Sequence, residues 1–416
     1  MRDSDRMTVS RPPFRTQGNA EHRHVTTSAR SHGGSTDTQN KEDAVKRRTF
    51  LGAAAATLAL GAGGGAAFLG QEKFGALPEG EALLRIKASP NYKGGQFRNL
   101  VPRPVLSDGS TLAGTFFRFI TKKREASVTP RAVPSARPDF HTLPREKDIL
   151  IWLGHSSFFL QLGGKRLLID PVLDDHASPV SFNVRAFPGS TPCSVSDLPP
   201  VDCLLISHDH WDHLDYATVT ALRDRIGLVL CGLGTGAHFL RWGFEKTRLR
   251  EADWGETLCL GDRLRIHVTT ASHYSGRGLT RNQALWTGFL METPECRVFF
   301  SGDGGYGAHF ADLGRRFGRV DIALLDSGQY NESWKYIHMT PEEAVQAAAD
   351  LGARYVLPAH TGRFALAYHP WDEPFRRAEK AAAQSSVQLL TPLIGDTVTL
   401  TGDLPVFPRW WEDAGA

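Results

Sequence analysis

At 416 residues the chain is long enough for one large domain or two ordinary ones. Its 41% hydrophobic and 22% charged residues can fill a sizeable core, and a net charge of +3 is too mild for the concentrated basic footprint of a nucleic-acid binder, so no nucleic-acid partner is expected. The five cysteines (Cys193, Cys203, Cys231, Cys259, Cys296) are odd in number and form no C-x-x-C pair, which argues against a disulfide framework and against a cysteine zinc knuckle.

Residues 1–45 are polar, rich in Ser, Thr, Arg and His, and carry no apolar periodicity, so they read as a disordered tail. Over 46–70, Lys46-Arg47-Arg48-Thr49-Phe50-Leu51 leads into an uncharged Ala/Gly/Leu run. This resembles a twin-arginine export signal and, if retained, a membrane anchor; either expectation places the protein in the periplasm or on the inner membrane facing it. Residues 71–147 are rich in Pro, Gly and basic side chains and read as a wrapping extension, whose Lys122-Lys123-Arg124 stretch is either a solvated surface or a contact with anionic lipid.

Regular structure is expected from residue 148. Apolar runs at 149–153, 158–162 and 165–169 read as strands, the last two joined into a hairpin by Gly163-Gly164. A strand over 201–207 leads into a helix over 216–225; 227–231 is a strand and 237–242 a helical start. Strands follow at 264–269, 287–292, 297–301 and 321–325. Thr340-Pro341-Glu342-Glu343 supplies an N-cap, a proline at the first helical position and a glutamate three residues after the cap, so a helix starts there and ends at Gly352, before a strand over 354–357. The order, strands and then strand–helix alternation twice over, fits two packed mixed sheets with helices outside, although periodicity alone does not separate this from other α/β layouts. Gly232-Leu233-Gly234-Thr235-Gly236 follows a strand, but it lacks the G-x-G-x-x-G spacing and reads as a tight turn.

The strongest feature is His208-Asp209-His210-Trp211-Asp212-His213, placed directly after the buried strand ending at Ser207. In extended backbone His208 and His210 point the same way, and Asp212 and His213 face a second position as the chain turns into the helix. Imidazole and carboxylate together suit zinc.

The hexapeptide reads H-x-H-x-D-H and resembles the motif of the metallo-β-lactamase superfamily. Three more of the family's ligands, each on a loop after a strand, match in order: His273, Asp303 and His360. Further stretches look like the branch that contains N-acyl-phosphatidylethanolamine-hydrolysing phospholipase D and its bacterial relatives: Gly154-His155-Ser156-Ser157, Ile169-Asp170-Pro171, Ser275-Gly276-Arg277, Leu285-Trp286, Gly302-Asp303-Gly304-Gly305-Tyr306, and His338 followed by Pro341-Glu342-Glu343-Ala344.

The resemblance implies a four-layer αββα sandwich over 148–400, with 401–416 left as a C-terminal tail. It implies two zinc ions, the same donors being compatible with manganese or iron: one on His208, His210 and His273, the other on Asp212, His213 and His360, with Asp303 bridging. The implied chemistry is phosphodiester hydrolysis by a shared hydroxide, with Asp303 and His338 in the catalytic machinery. His338 would hold the phosphate or protonate the leaving alkoxide, a structural histidine being the alternative. Asp170 would orient the histidine-rich loop, unless it is a simple Asp-Pro turn, and His155 reads as structural. Thr361 stands where some members carry an aromatic residue and is expected to border the cleft. The expected substrate is a phospholipid or another small-molecule ester, at or near a membrane surface. The same site in a lactonase, another esterase or an amidase is the principal alternative, and a non-catalytic metal-binding protein the lesser one. Diiron relatives place a glutamate where His210 stands, which disfavours oxygen chemistry.

Overall fold

The structure is a computed structural model that describes residues 64–109, 111, 114 and 127–415. The tail over 1–45, most of the 46–70 segment and Lys122-Lys123-Arg124 lie outside the described residues. Residues 1–66 group as a unit of their own, described only at 64–66, which are helical; the fold below is that of Ala67–Ala416. Among the described residues no helix is long and apolar enough to cross a membrane.

The extension contributes helix α1 (Gly80–Ala88) and a small hairpin, β1 (Tyr92–Lys93) with β2 (Gln96–Phe97). Phe97 and Ile86 are buried with Leu233, Ala271, Leu285 and Trp286, so this segment is fastened by its own apolar side chains to the main body.

The apolar runs from residue 149 pair into two seven-stranded sheets. One contains β3 (Ile149–Trp152), β4 (Phe158–Leu162), β5 (Lys165–Ile169), β6 (Val201–Ile206), β7 (Ile226–Gly232) and β8 (Leu249–Ala252), closed beside β3 by β16 (Thr397–Thr399). The other runs in space from β9 (Thr257–Leu260) through β10 (Leu264–Thr269), β11 (Gly288–Glu292), β12 (Arg297–Phe300), β13 (Val320–Asp326) and β14 (Ala353–Ala359) to β15 (Gln388–Leu389). Each sheet is antiparallel over its first four strands and parallel over its last four. Gly163 and Gly164, both at positive φ (57° and 77°), make the two-residue turn between β4 and β5, a conformation that suits the twist of an antiparallel hairpin.

Three apolar clusters define the layers. The largest lies between the sheets, where Phe158 of β4 meets Phe300 of β12 edge-on with ring centres 5.9 Å apart; such a pair contributes about 0.5–1.5 kcal/mol beyond its buried area. The second packs the outer face of the first sheet under α2 (Tyr216–Leu222) and α3 (Gly236–Arg241). The third packs the outer face of the second sheet under α4 (His309–Phe317) and α5 (Pro341–Asp350), with Ala381 and Ala382 of α6 (Glu373–Ala382) at its margin. The result is the αββα sandwich. The start of α5 carries the capping box read from sequence: Thr340 Oγ1 accepts from Glu343 N, and Thr340 N donates to Glu343 Oε2.

The C-terminal stretch departs from its reading as a tail. Helix α7 (Trp410–Gly415) inserts Trp410 and Trp411 into the inter-sheet core, Trp411 stacked on Phe375 at 5.3 Å. Two large indoles in one short helix bury enough apolar surface to hold it against the body.

Candidate metal centre

The parallel strands β5, β6, β12, β13 and β14, together with antiparallel β10, deliver their following loops to one end of the sandwich, where open α/β sheets place their ligands. Asp170 follows β5, His208 to His213 follow β6, His273 follows β10, Asp303 follows β12, and His360 follows β14. The seven ligand candidates from sequence are gathered there, all buried except His210, which is half-buried.

They form two donor groups that meet at one carboxylate. His208, His210 and His273 each place one ring nitrogen within 4.8 Å of the others, and a second group, a carboxylate oxygen of Asp212 and one ring nitrogen each of His213, His360 and His155, is gathered within the same distance. Asp303 Oδ2 lies between them, 3.1 Å from His213 Nε2, 3.2 Å from His360 Nε2, and 3.9 Å from Nε2 of both His208 and His273.

The outer nitrogens of the rings are held by protein. His208 Nδ1 is 2.9 Å from Ser207 Oγ, His213 Nδ1 is 2.8 Å from Asp170 Oδ2, and His273 Nδ1 donates to the Ile337 carbonyl at 3.0 Å. Each of these rings therefore turns its Nε2 inward. Asp170 also accepts from the Ser207 N–H at 2.7 Å and from the Ser207 hydroxyl, so the buried carboxylate ties the end of β5 to the start of the histidine-rich loop. His155, read as structural, is fully buried with Nε2 3.0 Å from Asp212 Oδ2; its backbone N–H donates to Thr361 O and its carbonyl accepts from His360 N. It orients one ligand candidate by its ring and another by its backbone.

Backbone strain collects here. Of the six non-glycine residues at positive φ among those described, His155, Asp170 and His360 (φ 54°, 40° and 60°) belong to the site, and Gln329 (φ 56°) lines its cavity. Such conformations cost about 1–3 kcal/mol each and persist where the surroundings impose them.

The electrostatics also call for a cation. Burial keeps His208 and His273 well below the ordinary histidine value and His210 down at about 4, so these rings are neutral with a lone pair to give. Burial is the largest influence on His213 and His360 and opposes their charge, but the surrounding carboxylates together outweigh it, Asp303 and Asp212 with Asp170 at His213 and Asp303, Asp326 and Asp212 at His360, and push both up, His360 to about 10. Burial would raise Asp212 and Asp303, yet the charge on His213 and its neighbours holds both well below the usual carboxylate range. Protons on two histidines thus do the neutralising that a metal ion does in a site with these donors. Asp303 Oδ1, on the carboxylate between the two donor groups, is fully buried with no hydrogen-bond partner.

A cavity of about 260 Å³ opens over the cluster. His338 lines it, with Nδ1 2.9 Å from Asp326 Oδ2 and its ring stacked on that of His360 at 4.9 Å. Asp326, which the sequence reading missed, ends β13 and also accepts from the Gly304 N–H at 3.0 Å, linking the His338 and Asp303 loops. Its only sequence signal is an acid at the end of a buried strand, ahead of Ser327-Gly328. Arg281 lines the same cavity, its guanidinium 5.1 Å from the centre of the Tyr274 ring. The apolar wall comes from Val105, Leu106, Trp334, Ile337 and Leu366. Thr361, expected to border the cleft, is buried at 1% exposure and does not line this cavity, because its carbonyl is turned inward to the His155 N–H. The glycine-rich turn over 232–236 is closed to phosphate, since Glu251 Oε1 already accepts from the Gly234 and Gly236 N–H groups.

Fold and site together define a metal-dependent hydrolase. A β-lactamase superfamily domain profile matches residues 165–361. An uncharacterized protein of Mycobacterium tuberculosis is 38% identical over 334 residues, which is 78% of this chain and 88% of that protein. A metal-dependent hydrolase of Pyrobaculum aerophilum is 30% identical over 244 residues, 58% of this chain and 96% of that one. The N-acyl-phosphatidylethanolamine-hydrolyzing phospholipase D 1 of Caenorhabditis elegans is 32% identical over 227 residues, 52% of this chain and 64% of the worm protein. The chain belongs to the metallo-β-lactamase superfamily.

Proposed function

We propose that the chain is a binuclear zinc-dependent phosphodiesterase of phospholipase D type, acting on N-acyl-phosphatidylethanolamine-like lipids. The observation that carries this reading is the meeting of two donor groups on Asp303 beneath a cavity lined by the cationic Arg281 and by apolar side chains. His208, His210 and His273 would hold one ion, Asp212, His213 and His360 the other, with Asp303 shared. Ions so placed would supply Lewis acidity and would lower the pKa of water to about 7.

The chain's own groups account for the rest. Asp170 and Ser207 fix the histidine-rich loop, and His155 fixes Asp212. Asp326 accepts from His338 Nδ1–H and so orients the ring; carrying a second proton on Nε2, His338 would bind a phosphoryl oxygen or pass that proton to the departing alkoxide. Arg281, for which no carboxylate partner is found among the described residues, favours an anionic substrate over a neutral one. The wall of Val105, Leu106, Ile337 and Leu366 suits acyl chains. Leu100 and Val101, 64% and 60% exposed and following Arg98, suit an anionic membrane surface. Export to the periplasm, or an anchor facing it, belongs to the same proposal.

The test is hydrolysis of N-acyl-phosphatidylethanolamine vesicles by the zinc-loaded full chain, beside Asp303→Asn. The reading expects phosphatidic acid and N-acylethanolamine, absent with the variant. No release from protein carrying two zinc ions per chain would sink the lipid assignment, and turnover of a lactone by the same preparation would assign the site to lactonase chemistry. Arg281→Ala should raise KM for a small phosphodiester such as bis(p-nitrophenyl) phosphate and leave a neutral ester unchanged.

A further inference from the structure

We propose that Asn99, in the N-terminal extension, is a positioning residue that sets the backbone of His273 for metal binding. The side chain grips the ligand candidate from both directions. Asn99 Nδ2 donates to the His273 carbonyl at 2.9 Å, and Asn99 Oδ1 accepts from the His273 N–H at 3.1 Å. The same oxygen accepts from Trp286 Nε1 at 2.8 Å, and that indole also donates to Ala271 O, two residues before His273. One amide therefore satisfies both backbone groups of His273 and couples them to a fully buried tryptophan.

Asn99 is itself held in place. Phe97 is buried against Trp286, and its N–H donates to Asn282 O at 2.9 Å. Ten residues on, Ser107 N donates to Ser333 O at 2.8 Å, and Ser333 Oγ donates to Asp108 at 2.6 Å. The segment between these anchors passes the cavity, where Val105 and Leu106 supply part of the wall. His273 follows β10 by a loop with no regular ladder of its own, so its position depends on such external bonds in a way that His208, next to the end of β6, does not. The extension thus completes the site that the two sheets begin.

This inference rests on the reading of His273 as a ligand, and the experiment separates the two. Zinc-loaded wild type, Asn99→Ala, Asn99→Asp, Ser333→Ala and His273→Ala are dialysed against graded chelator, and zinc per chain is measured by elemental analysis with circular dichroism as the check on folding. Cobalt-loaded samples give the visible spectrum of the ligand field as a second readout. Removing a partner that orients a ligand costs about ten- to a hundredfold in metal affinity. Asn99→Ala should lose one of its two ions at correspondingly lower chelator and shift the cobalt spectrum, while the other ion stays. Asn99→Asp keeps both acceptor bonds but turns a carboxylate oxygen on the His273 carbonyl in place of the donated N–H, and should also lose that ion at lower chelator than wild type. Ser333→Ala removes only the Ser333 Oγ bond to Asp108 and keeps the Ser107 N–Ser333 O bond that anchors the segment, so it should match wild type. Wild-type metal retention and spectra in both Asn99 variants would overturn the inference; Asn99→Asp decides it alone if the alanine variant does not fold. Two tightly held ions in His273→Ala would instead sink the ligand reading beneath it.

Discussion

Gly328 lies two residues beyond the end of β13, against the backbone of His360. A Cβ added there would meet His360 O at 2.0 Å and its carbonyl carbon at 2.8 Å. Carbon and oxygen come no closer than about 3.3 Å in favourable contacts, so Gly328→Ala must open more than about 1 Å between the two loops. Neither side yields freely. The Ser327 N–H donates to Ala359 O, His360 N donates to His155 O, and Gln329 Nε2 donates to His360 O at 3.2 Å. The displacement therefore passes to the His360 ring and from there to Asp212 and Asp303. Overpacking of this kind costs about 1–3 kcal/mol, which for a large domain lowers Tm by about 2–4 °C per kcal/mol. A misplacement near 1 Å at reacting groups costs about a hundredfold in rate. Differential scanning calorimetry of the zinc-loaded protein, elemental analysis after dialysis, and turnover of bis(p-nitrophenyl) phosphate read the three effects. Wild-type Tm together with two retained ions in Gly328→Ala would refute the reasoning that His360 is pinned by this contact.

Asp170→Asn keeps shape but cannot accept from Ser207 N, Ser207 Oγ and His213 Nδ1 all at once, so one buried donor loses its partner; metal affinity should drop about ten- to a hundredfold, as read by competition with a chelator, and an unchanged affinity would make Asp170 a plain turn residue. Trp411→Ala removes an indole only 1% exposed from the inter-sheet core and should cost about 3–5 kcal/mol in denaturant unfolding; a loss within error would return residues 401–416 to the status of a tail.

The parts of this protein legible in sequence are those set by local rules. Strands β4, β5 and β10 fall on 158–162, 165–169 and 264–269 as expected, because apolar runs there are bounded by glycines or polar turns. Helix α5 begins where its capping box puts it. Strands β8 and β9, Leu-Arg-Glu-Ala and Thr-Leu-Cys-Leu, were not read, since they are half-exposed edge strands with little apolar alternation. Helix α4 keeps Phe310, Leu313 and Phe317 at helical spacing but is only nine residues long with Gly314 inside it, and α6 has a proline and three charges in its first five residues. At the site, the seven ligand candidates were legible because a family pattern spaces them along the chain. Asn99 and Asp326 were not, since each gains its meaning from a partner brought close only by the fold: His273 from 174 residues away for Asn99, and His338 across a loop from Asp326. His155 was read as structural from an ordinary Gly-His-Ser opening; its contact with Asp212 spans 57 residues.

The central claim is that the two donor groups hold two metal ions through a shared Asp303. Elemental analysis of the full chain after loading with zinc and removal of excess metal tests it most directly, beside Asp303→Asn and His360→Ala. Two ions per chain are expected in the wild type and fewer than two in each variant. A wild type that saturates at one ion, or variants that still hold two, would contradict it.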